Sequence, residues 1–141
     1  MKIALVALGL SVVLLLSGCS TRESFETATP AALTASDLGI TYAEADTRTS
    51  GFAVYMSIYV EFDHSTVSAK DLRQIIKICV ENNTVGGLYG LTISAVDGPI
   101  DVEYKPIDLA AASEELGFPE HSSAPGDFYA KWDDVVDFIE N

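Results

Sequence analysis

The chain has 141 residues, of which 48% are hydrophobic and 21% charged, and its formal net charge is −13 at pH 7. This length allows one domain with a modest hydrophobic core, and not two. With 8 Lys and Arg against 21 Asp and Glu, the composition argues against nucleic-acid binding, which needs basic patches. It also argues against electrostatic adhesion to anionic lipids.

The first segment has the layout of a secretory signal peptide. Met1-Lys2 precedes an apolar run from Ile3 to Leu16, a basic start followed by a short hydrophobic stretch. A bilayer-spanning helix needs about 20 apolar residues, so this run is too short, and no basic flank follows it. A buried core helix would normally have a polar face, which this run lacks. We therefore expect a signal peptide over residues 1–18.

Four residues at the end of the apolar run, Leu16, Ser17, Gly18 and Cys19, resemble the lipobox of bacterial lipoproteins. The resemblance implies that the Cys19 thiol receives a diacylglyceryl group and that signal peptidase II, recognising Leu16, Ser17 and Gly18, cleaves before Cys19. In many such bacteria the new amine is acylated as well, commonly with palmitate. Two acyl chains give stable membrane anchoring where a single chain holds marginally.

The residue after the lipidated cysteine bears on location. Ser20 does not resemble the Asp that retains such lipoproteins in the inner membrane of diderm bacteria. The expected location is therefore the extracytoplasmic face: the outer membrane of a diderm, or the cell membrane of a monoderm.

The segment 19–36 is predicted to be a lipidated N-terminus and flexible tether, because it is rich in Ser, Thr and Ala and has few large apolar residues. A coil of this length spans roughly 20–25 Å. Residues 37–141 are expected to form a single globular domain.

The strongest secondary-structure signal runs from Phe52 to Asp63, where apolar and polar residues alternate as in a half-buried strand. A weaker alternation over 40–48, followed by a turn at 49–51, predicts an edge strand before it. Ser68 and Asp71 form a capping-box pattern for a helix that Asn83 ends.

Two more strands are predicted at 89–95 and 100–104, then a short helix over 109–116 with Asp108 as its N-cap. A loop over 119–126 precedes a C-terminal helix that starts at Asp127 and includes Phe128 and Trp132 in its apolar stripe. The order β-β-α-β-β-α-α predicts an α+β domain with an antiparallel sheet of about four strands, covered by helices on one face.

No catalytic motif, metal site or cofactor signature is present in the sequence. The two histidines, His64 and His121, lie in predicted turns and have no second ligand at metal-binding spacing. The acidic run in the last helix has no calcium-loop pattern. Cys79 sits among apolar residues and is expected to be a core residue without a disulfide partner.

The outward face of the long strand carries Tyr55 and Tyr59, which helices on the opposite face would leave exposed. Exposed aromatic residues suit a protein or glycan partner. However, tyrosine also tolerates half-exposure on strands, and Trp132 with its helix could cover this face.

We expect a non-enzymatic interaction module. The alternatives are a small enzyme that uses carboxylates such as Glu61 and Asp63, and a structural or inhibitory lipoprotein; the sequence leaves the oligomeric state open.

Overall fold

The computed structural model describes residues 20–118 and 126–141, so residues 16–19 and His121 lie outside the described residues. The helices are α1 Ser20–Thr34, α2 Ala69–Glu81, α3 Ala110–Glu115 and α4 Trp132–Glu140. The strands are β1 Ile40–Ser50, β2 Ala53–Phe62, β3 Leu88–Asp97, β4 Pro106–Ile107 and β5 Phe128–Lys131.

The strands form a five-stranded sheet with β2 and β3 at its centre. β1 is antiparallel to β2, whereas β2 and β3 are parallel. β4 and β5 share the other side of β3, both antiparallel to it. The predicted α+β class is confirmed, but the sheet is mixed rather than wholly antiparallel. The reason is the connection through α2, since a helical crossover returns the chain to the same end of the sheet.

Strand β2 separates the two faces of the sheet. Val54, Met56, Ile58 and Val60 are buried on one face, as the alternation predicts. Side chains from all four helices pack in the same hydrophobic cluster as these residues: Leu33 of α1, Ile76 of α2, Ala112 of α3 and Val135 of α4. The helices therefore cover one face, and we call the opposite face, which carries Tyr55, Ser57 and Tyr59, the open face.

Helix α2 begins where the capping pattern predicts. The Ser68 hydroxyl accepts from the Asp71 backbone N–H, and the Asp71 carboxylate accepts from the Ser68 backbone N–H in return. Both terminal amides are thus satisfied within the box. Leu72, Ile75 and Ile76 are wholly buried, so the helix crosses the sheet on its apolar stripe.

The prediction of a flexible tether before residue 37 is wrong for residues 20–34, which form α1. Phe25, Thr29 and Leu33 recur every four residues and are 0% exposed, so a narrow stripe of the helix packs on the core. Glu26 also joins α1 to β1, because its Oε1 accepts from the Thr47 hydroxyl at 2.7 Å and from the Thr47 backbone N–H at 3.2 Å. The amino-acid composition of this segment does not predict the helix, because its burial depends on the spacing of a few residues.

The strand predicted at 100–104 is also absent. Pro99 C=O accepts from the backbone N–H groups of Val102 and Glu103, which closes a turn, and Val102 is 78% exposed. The Asp97 N–H donates to the Lys105 carbonyl oxygen, and the chain pairs with β3 again only at β4. Alternating residues in this stretch lack a neighbouring strand to pair with, since β4 and β5 occupy that edge of β3.

The C-terminal helix starts later than predicted. Phe128 belongs to β5, opposite Ile93 of β3, and is wholly buried there. Helix α4 begins at Trp132 with Lys131 as its N-cap, rather than at Asp127. Phe128 satisfies both the strand and the helix pattern, and sheet pairing decides between them.

Cys79 is a buried residue of α2, as predicted, and it is a free thiol. Burial raises the pKa of this thiol to about 12, so it stays protonated and unreactive at neutral pH. No helix within the described ranges is long and apolar enough to span a membrane.

The packing of α1 can be tested on two adjacent residues. Leu33→Ala should lower the free energy of unfolding of the full-length chain by about 2–5 kcal/mol, because it empties a fully enclosed core position. Thr34→Ala, on the exposed side of the same helix, should change it by less than about 0.5 kcal/mol. Urea unfolding measures both, and equal effects would mean that α1 does not pack as described.

Candidate functional site

Most of the tyrosines of the chain lie on the open face. Of the six tyrosines, Tyr55 and Tyr59 are on β2 and half-buried. The others are Tyr42 on β1, Tyr89 on β3, Tyr129 on β5 and Tyr104 in the loop before β4. The helices cover the face that carries Met56 and Val60. As the sequence analysis predicts for this case, they leave Tyr55 and Tyr59 uncovered on the other face.

The alternative in which Trp132 covers these tyrosines is wrong. Helix α4 follows β5 onto the helical side of the sheet, where Val135 is wholly buried and Trp132 packs against the core cluster. In the described part of the chain, no helix packs on the open face.

One end of the open face is an aromatic platform. The rings of Tyr55 and Tyr89 lie 5.3 Å apart at their centroids with a 59° angle between planes. The Tyr129 ring lies against Gly90, since a Cβ built there would meet Tyr129 Cε2 and Oη at 2.9 Å. Gly90 thus has a packing role: any larger residue would push the Tyr129 ring off β3.

The other end of the open face is a pocket of about 380 Å³, which we call the Tyr42–Tyr59 pocket. Its lining residues are Tyr42, Glu44, Tyr59, Glu61 and Ile100. Tyr42 lies opposite Glu61 and Glu44 lies opposite Tyr59 across the β1–β2 pair, so the two tyrosines occupy one diagonal and the two glutamates the other. The tyrosine rings meet at 62° with centroids 6.3 Å apart.

Hydrogen bonds fix this arrangement. The Tyr59 hydroxyl donates to Glu61 Oε1 at 3.1 Å, and the Ile100 backbone N–H donates to the same oxygen at 3.2 Å. The Tyr42 hydroxyl donates to Glu44 Oε2 at 3.3 Å. Glu61 is only 8% exposed, so its carboxylate is held in one position by groups from β2 and from the loop after β3.

The phenols of the pocket are hard to ionise. Burial, then the hydrogen bond and the negative charge of Glu61, raise the pKa of Tyr59 to about 12, and the nearby Tyr104 phenol adds to this effect. The charge of Glu44 raises the pKa of Tyr42, with smaller contributions from burial and from the hydrogen bond to Glu44. Both rings therefore stay neutral donors at any physiological pH.

Of the predicted carboxylate pair, Glu61 lines the Tyr42–Tyr59 pocket and Asp63 does not. Strand β2 ends at Phe62, so Asp63 lies in the following bend, where its side chain is exposed and its Oδ1 is 3.8 Å from His64 Nε2. The second carboxylate of the pocket is Glu44 of β1 instead. His64 Nε2 is also 3.0 Å from the Leu38 carbonyl oxygen, a structural contact between the ends of two connections.

Sequence reasoning missed Tyr42, Glu44 and Ile100. A signal for the first two existed, because Tyr42 and Glu44 alternate with the inward-facing Ala43 and Ala45 of β1. No sequence feature indicated that Ile100 would line a pocket, because the sequence predicts a strand at 100–104 that does not form. Within the described ranges, no group of three or more His, Cys, Asp or Glu side chains could hold a metal ion.

A second cavity, of about 410 Å³, lies where the α1–β1 connection meets α2. Its lining is Asp37, Leu38, Lys70, Asp71 and Gln74. Asp71 is committed to capping α2, and Lys70 brings a positive charge to the same wall as the two carboxylates. This cavity therefore carries one net negative charge, against two in the Tyr42–Tyr59 pocket, and it has no aromatic walls.

Comparisons with protein-family models, with curated proteins and with solved structures find no match to this chain.

The pocket geometry predicts the titration of Tyr59. Its phenol should titrate near pH 12, and Glu61→Gln should lower that pKa towards 10 without reaching it, because burial, the largest cause, remains. Below pH 10 the stabilising effect of the protonated phenol is fully present, and it is lost as pH rises towards 12, since the unfolded chain ionises first.

Nuclear magnetic resonance of ¹³Cζ-labelled tyrosine resolves this titration from those of the other tyrosines. Glu81→Gln, on α2 at the helical side of the sheet, removes the same charge and should leave the Tyr59 pKa unchanged. A Tyr59 phenol that titrates near pH 10 in the unaltered chain would contradict the pocket geometry.

Proposed function

We propose that this chain is a bacterial cell-envelope lipoprotein whose folded part is a non-enzymatic interaction module that binds a protein through its open face. The observation that carries the proposal is the uncovered tyrosine surface, from the Tyr55–Tyr89 platform to the Tyr42–Tyr59 pocket. Tyrosine rings supply a large apolar contact area and a polar tip, the combination enriched at protein interfaces. Carboxylates between the rings favour a protein, with its basic side chains, over a neutral glycan.

The anchor half of the proposal rests on Leu16, Ser17, Gly18 and Cys19, which resemble a lipobox at the end of a signal-peptide-like run. The acidic composition supports a covalent anchor, because a strongly negative domain gains nothing from contact with anionic lipid. Two acyl chains on Cys19 would supply stable attachment instead.

The position of α1 supports one orientation of the domain relative to the proposed anchor. Glu26 of α1 bonds to Thr47 of β1, and only residues 35–39 separate the end of α1 from the start of β1, so the helix runs antiparallel to the strand. Its first residue, Ser20, is then about 9 Å beyond Glu26, close to the level of the β1–β2 turn at 51–52. A lipid on Cys19 would hold that turn towards the membrane.

The Tyr42–Tyr59 pocket lies at the opposite end of the sheet. Eight residues of β2 lie between the turn and Glu61, so Glu61 is about 30 Å along the strand from the turn. Phe52, which projects from the turn and is fully exposed, would then lie near the lipid, while the pocket would face away from it. This orientation suits the capture of a partner in the space beyond the membrane surface.

A second candidate function, a small enzyme that uses carboxylates, has one observation in its favour. Glu44 and Glu61 line the same pocket, and paired carboxylates are the groups of many hydrolases. However, Glu61 Oε1 already accepts two hydrogen bonds, and both tyrosine hydroxyls donate to the glutamates. The polar groups of the pocket are therefore hydrogen-bonded to one another. This favours a binding role for the pocket over proton transfer to a substrate.

The anchor is tested by Cys19→Ser, which removes the thiol that would carry the lipid. The variant should accumulate as an uncleaved precursor or be released from the membrane, since the acyl chains are its proposed attachment. Cell fractionation and mass measurement of the N-terminus follow this. Ser20→Ala, one residue further on, should be processed and retained normally; a processed Cys19→Ser form that stays in the membrane would refute the anchor.

The binding surface is tested by Tyr55→Ser combined with Tyr59→Ser. With the photo-crosslinker p-benzoylphenylalanine at the position of Ser57, between the two tyrosines, the unaltered chain should form a discrete protein adduct in its native host. The double serine variant should lose most of it, because both rings are removed.

The matched control is Tyr55→Phe combined with Tyr59→Phe, which keeps both rings and should retain the adduct. A crosslinker at the position of Lys77, on the exposed side of α2, should give none of this adduct. An adduct that survives the double serine change would contradict the proposed surface, and so would an adduct made of glycan rather than protein.

A further inference from the structure

The walls of the Tyr42–Tyr59 pocket carry a negative charge that nothing in the pocket neutralises. Two of its five lining residues are glutamates, and none of the five is basic. Two cations of the sheet and its loops are paired with other carboxylates: Lys105 Nζ is 3.0 Å from Glu103, and Arg48 Nε is 3.0 Å from Asp46. Among the described residues, neither of these cations lines the pocket.

Both carboxylates of the pocket accept hydrogen bonds from groups that line it. Glu61 is nearly buried and is fixed by two donors on Oε1, and Glu44 is joined to the Tyr42 hydroxyl. Ionised carboxylates can only accept hydrogen bonds. A further ligand of this pocket must therefore be a donor, and a positively charged donor gains most from two carboxylates on one wall.

The aromatic walls narrow the ligand class further. The Tyr42 and Tyr59 rings form a corner, with centroids 6.3 Å apart and planes at 62°, and the faces of such rings attract cations. Ile100, which is 51% exposed, adds an aliphatic wall. A bare metal ion would make no use of rings and isoleucine, whereas an organic cation on an alkyl stem matches the charge and the apolar surface together.

A larger aromatic surface lies on the same face of the sheet as the pocket. The pocket opens on the same sheet face as Tyr55, Tyr89 and Tyr129, so a cation bound in it can belong to a partner that also covers the platform. A free small amine would occupy the pocket and leave the platform unused.

We propose that the Tyr42–Tyr59 pocket binds the cationic side chain of a lysine or arginine presented by a basic segment of a protein partner. This inference rests on the proposed function, since it names the chemistry by which the open face recognises its partner. The ammonium or guanidinium group lies between the carboxylates of Glu44 and Glu61, and its alkyl stem packs on the rings of Tyr42 and Tyr59.

The test uses the purified full-length chain and short capped peptides as probes. Acetyl-Gly-Lys-Gly-amide and acetyl-Gly-Arg-Gly-amide carry the two cations, and acetyl-Gly-norleucine-Gly-amide keeps the alkyl stem without a charge. The cationic peptides should shift the ¹³Cζ resonances of Tyr42 and Tyr59 saturably, and the norleucine peptide should not. Equal shifts from all three peptides, or no saturable shift from either cation, would overturn the proposal.

Charge removal in the pocket gives the second readout. Glu44→Gln should weaken binding of the lysine peptide by about fivefold, the effect of losing one exposed charge partner, and Glu61→Gln should weaken it at least as much, because Glu61 is nearly buried. Glu44 is exposed, so its variant folds even where the nearly buried Glu61 does not tolerate change. Glu81→Gln on α2 is the matched control, and an effect of Glu81→Gln equal to that of Glu44→Gln would mean that only net charge matters.

Two comparisons separate this inference from the proposed function. If the crosslinked partner is lost on changing Tyr55 and Tyr59 to Ser but is unaffected by Glu44→Gln, the open face binds a protein and the cation assignment is wrong. If n-butylammonium binds as tightly as the lysine peptide and, in the native host, neither Glu44→Gln nor the double serine change reduces the crosslinked protein, the pocket takes a free amine and the assignment to a protein segment is wrong.

Discussion

Strand β2 is paired along both edges and divides the molecule into a helix-covered core and an open face, so every other feature depends on its register. Its even-numbered residues from Val54 to Phe62 enter the core, while Tyr55, Ser57 and Tyr59 do not. A slip of one residue would bring the tyrosines into the core and the aliphatic side chains into water. The free energy of burying the aliphatic set therefore also determines which aromatic residues remain available to a partner.

The parallel pairing of β2 and β3 has a second consequence for the open face. Because α2 crosses on the core side, the helices gather there and leave the other side bare. The far edge of β3 is then shared by two short strands, β5 and β4. The loop that leads from β3 to β4 brings the Ile100 amide to Glu61. The same loop therefore forms one wall of the pocket and returns the chain to the sheet as β4.

Helix α1 packs beside the other edge of the sheet and bonds to its outer strand. An unpaired edge strand is a template for unwanted pairing, and Glu26 satisfies one outward amide of β1, that of Thr47. The same contact fixes the direction of the helix relative to the sheet. A covalent anchor at residue 19 would thus act on a packed element rather than on a flexible coil, and the end of the sheet that carries the pocket would point away from the anchor.

The sequence by itself determined the features that depend on local periodicity: the long alternation of β2, the capping box of α2, the burial of Cys79 and the α+β class. It also determined which face of β2 would carry Tyr55 and Tyr59.

Only the tertiary structure decided the remaining features, because each of them depends on partners distant in the chain. Three buried residues make α1 a packed helix, a neighbouring strand makes Phe128 a sheet residue, and cross-strand pairing sets Tyr42 and Glu44 against Tyr59 and Glu61. Periodicity cannot encode these contacts, since it records which side of an element is apolar but not which other element will lie against that side.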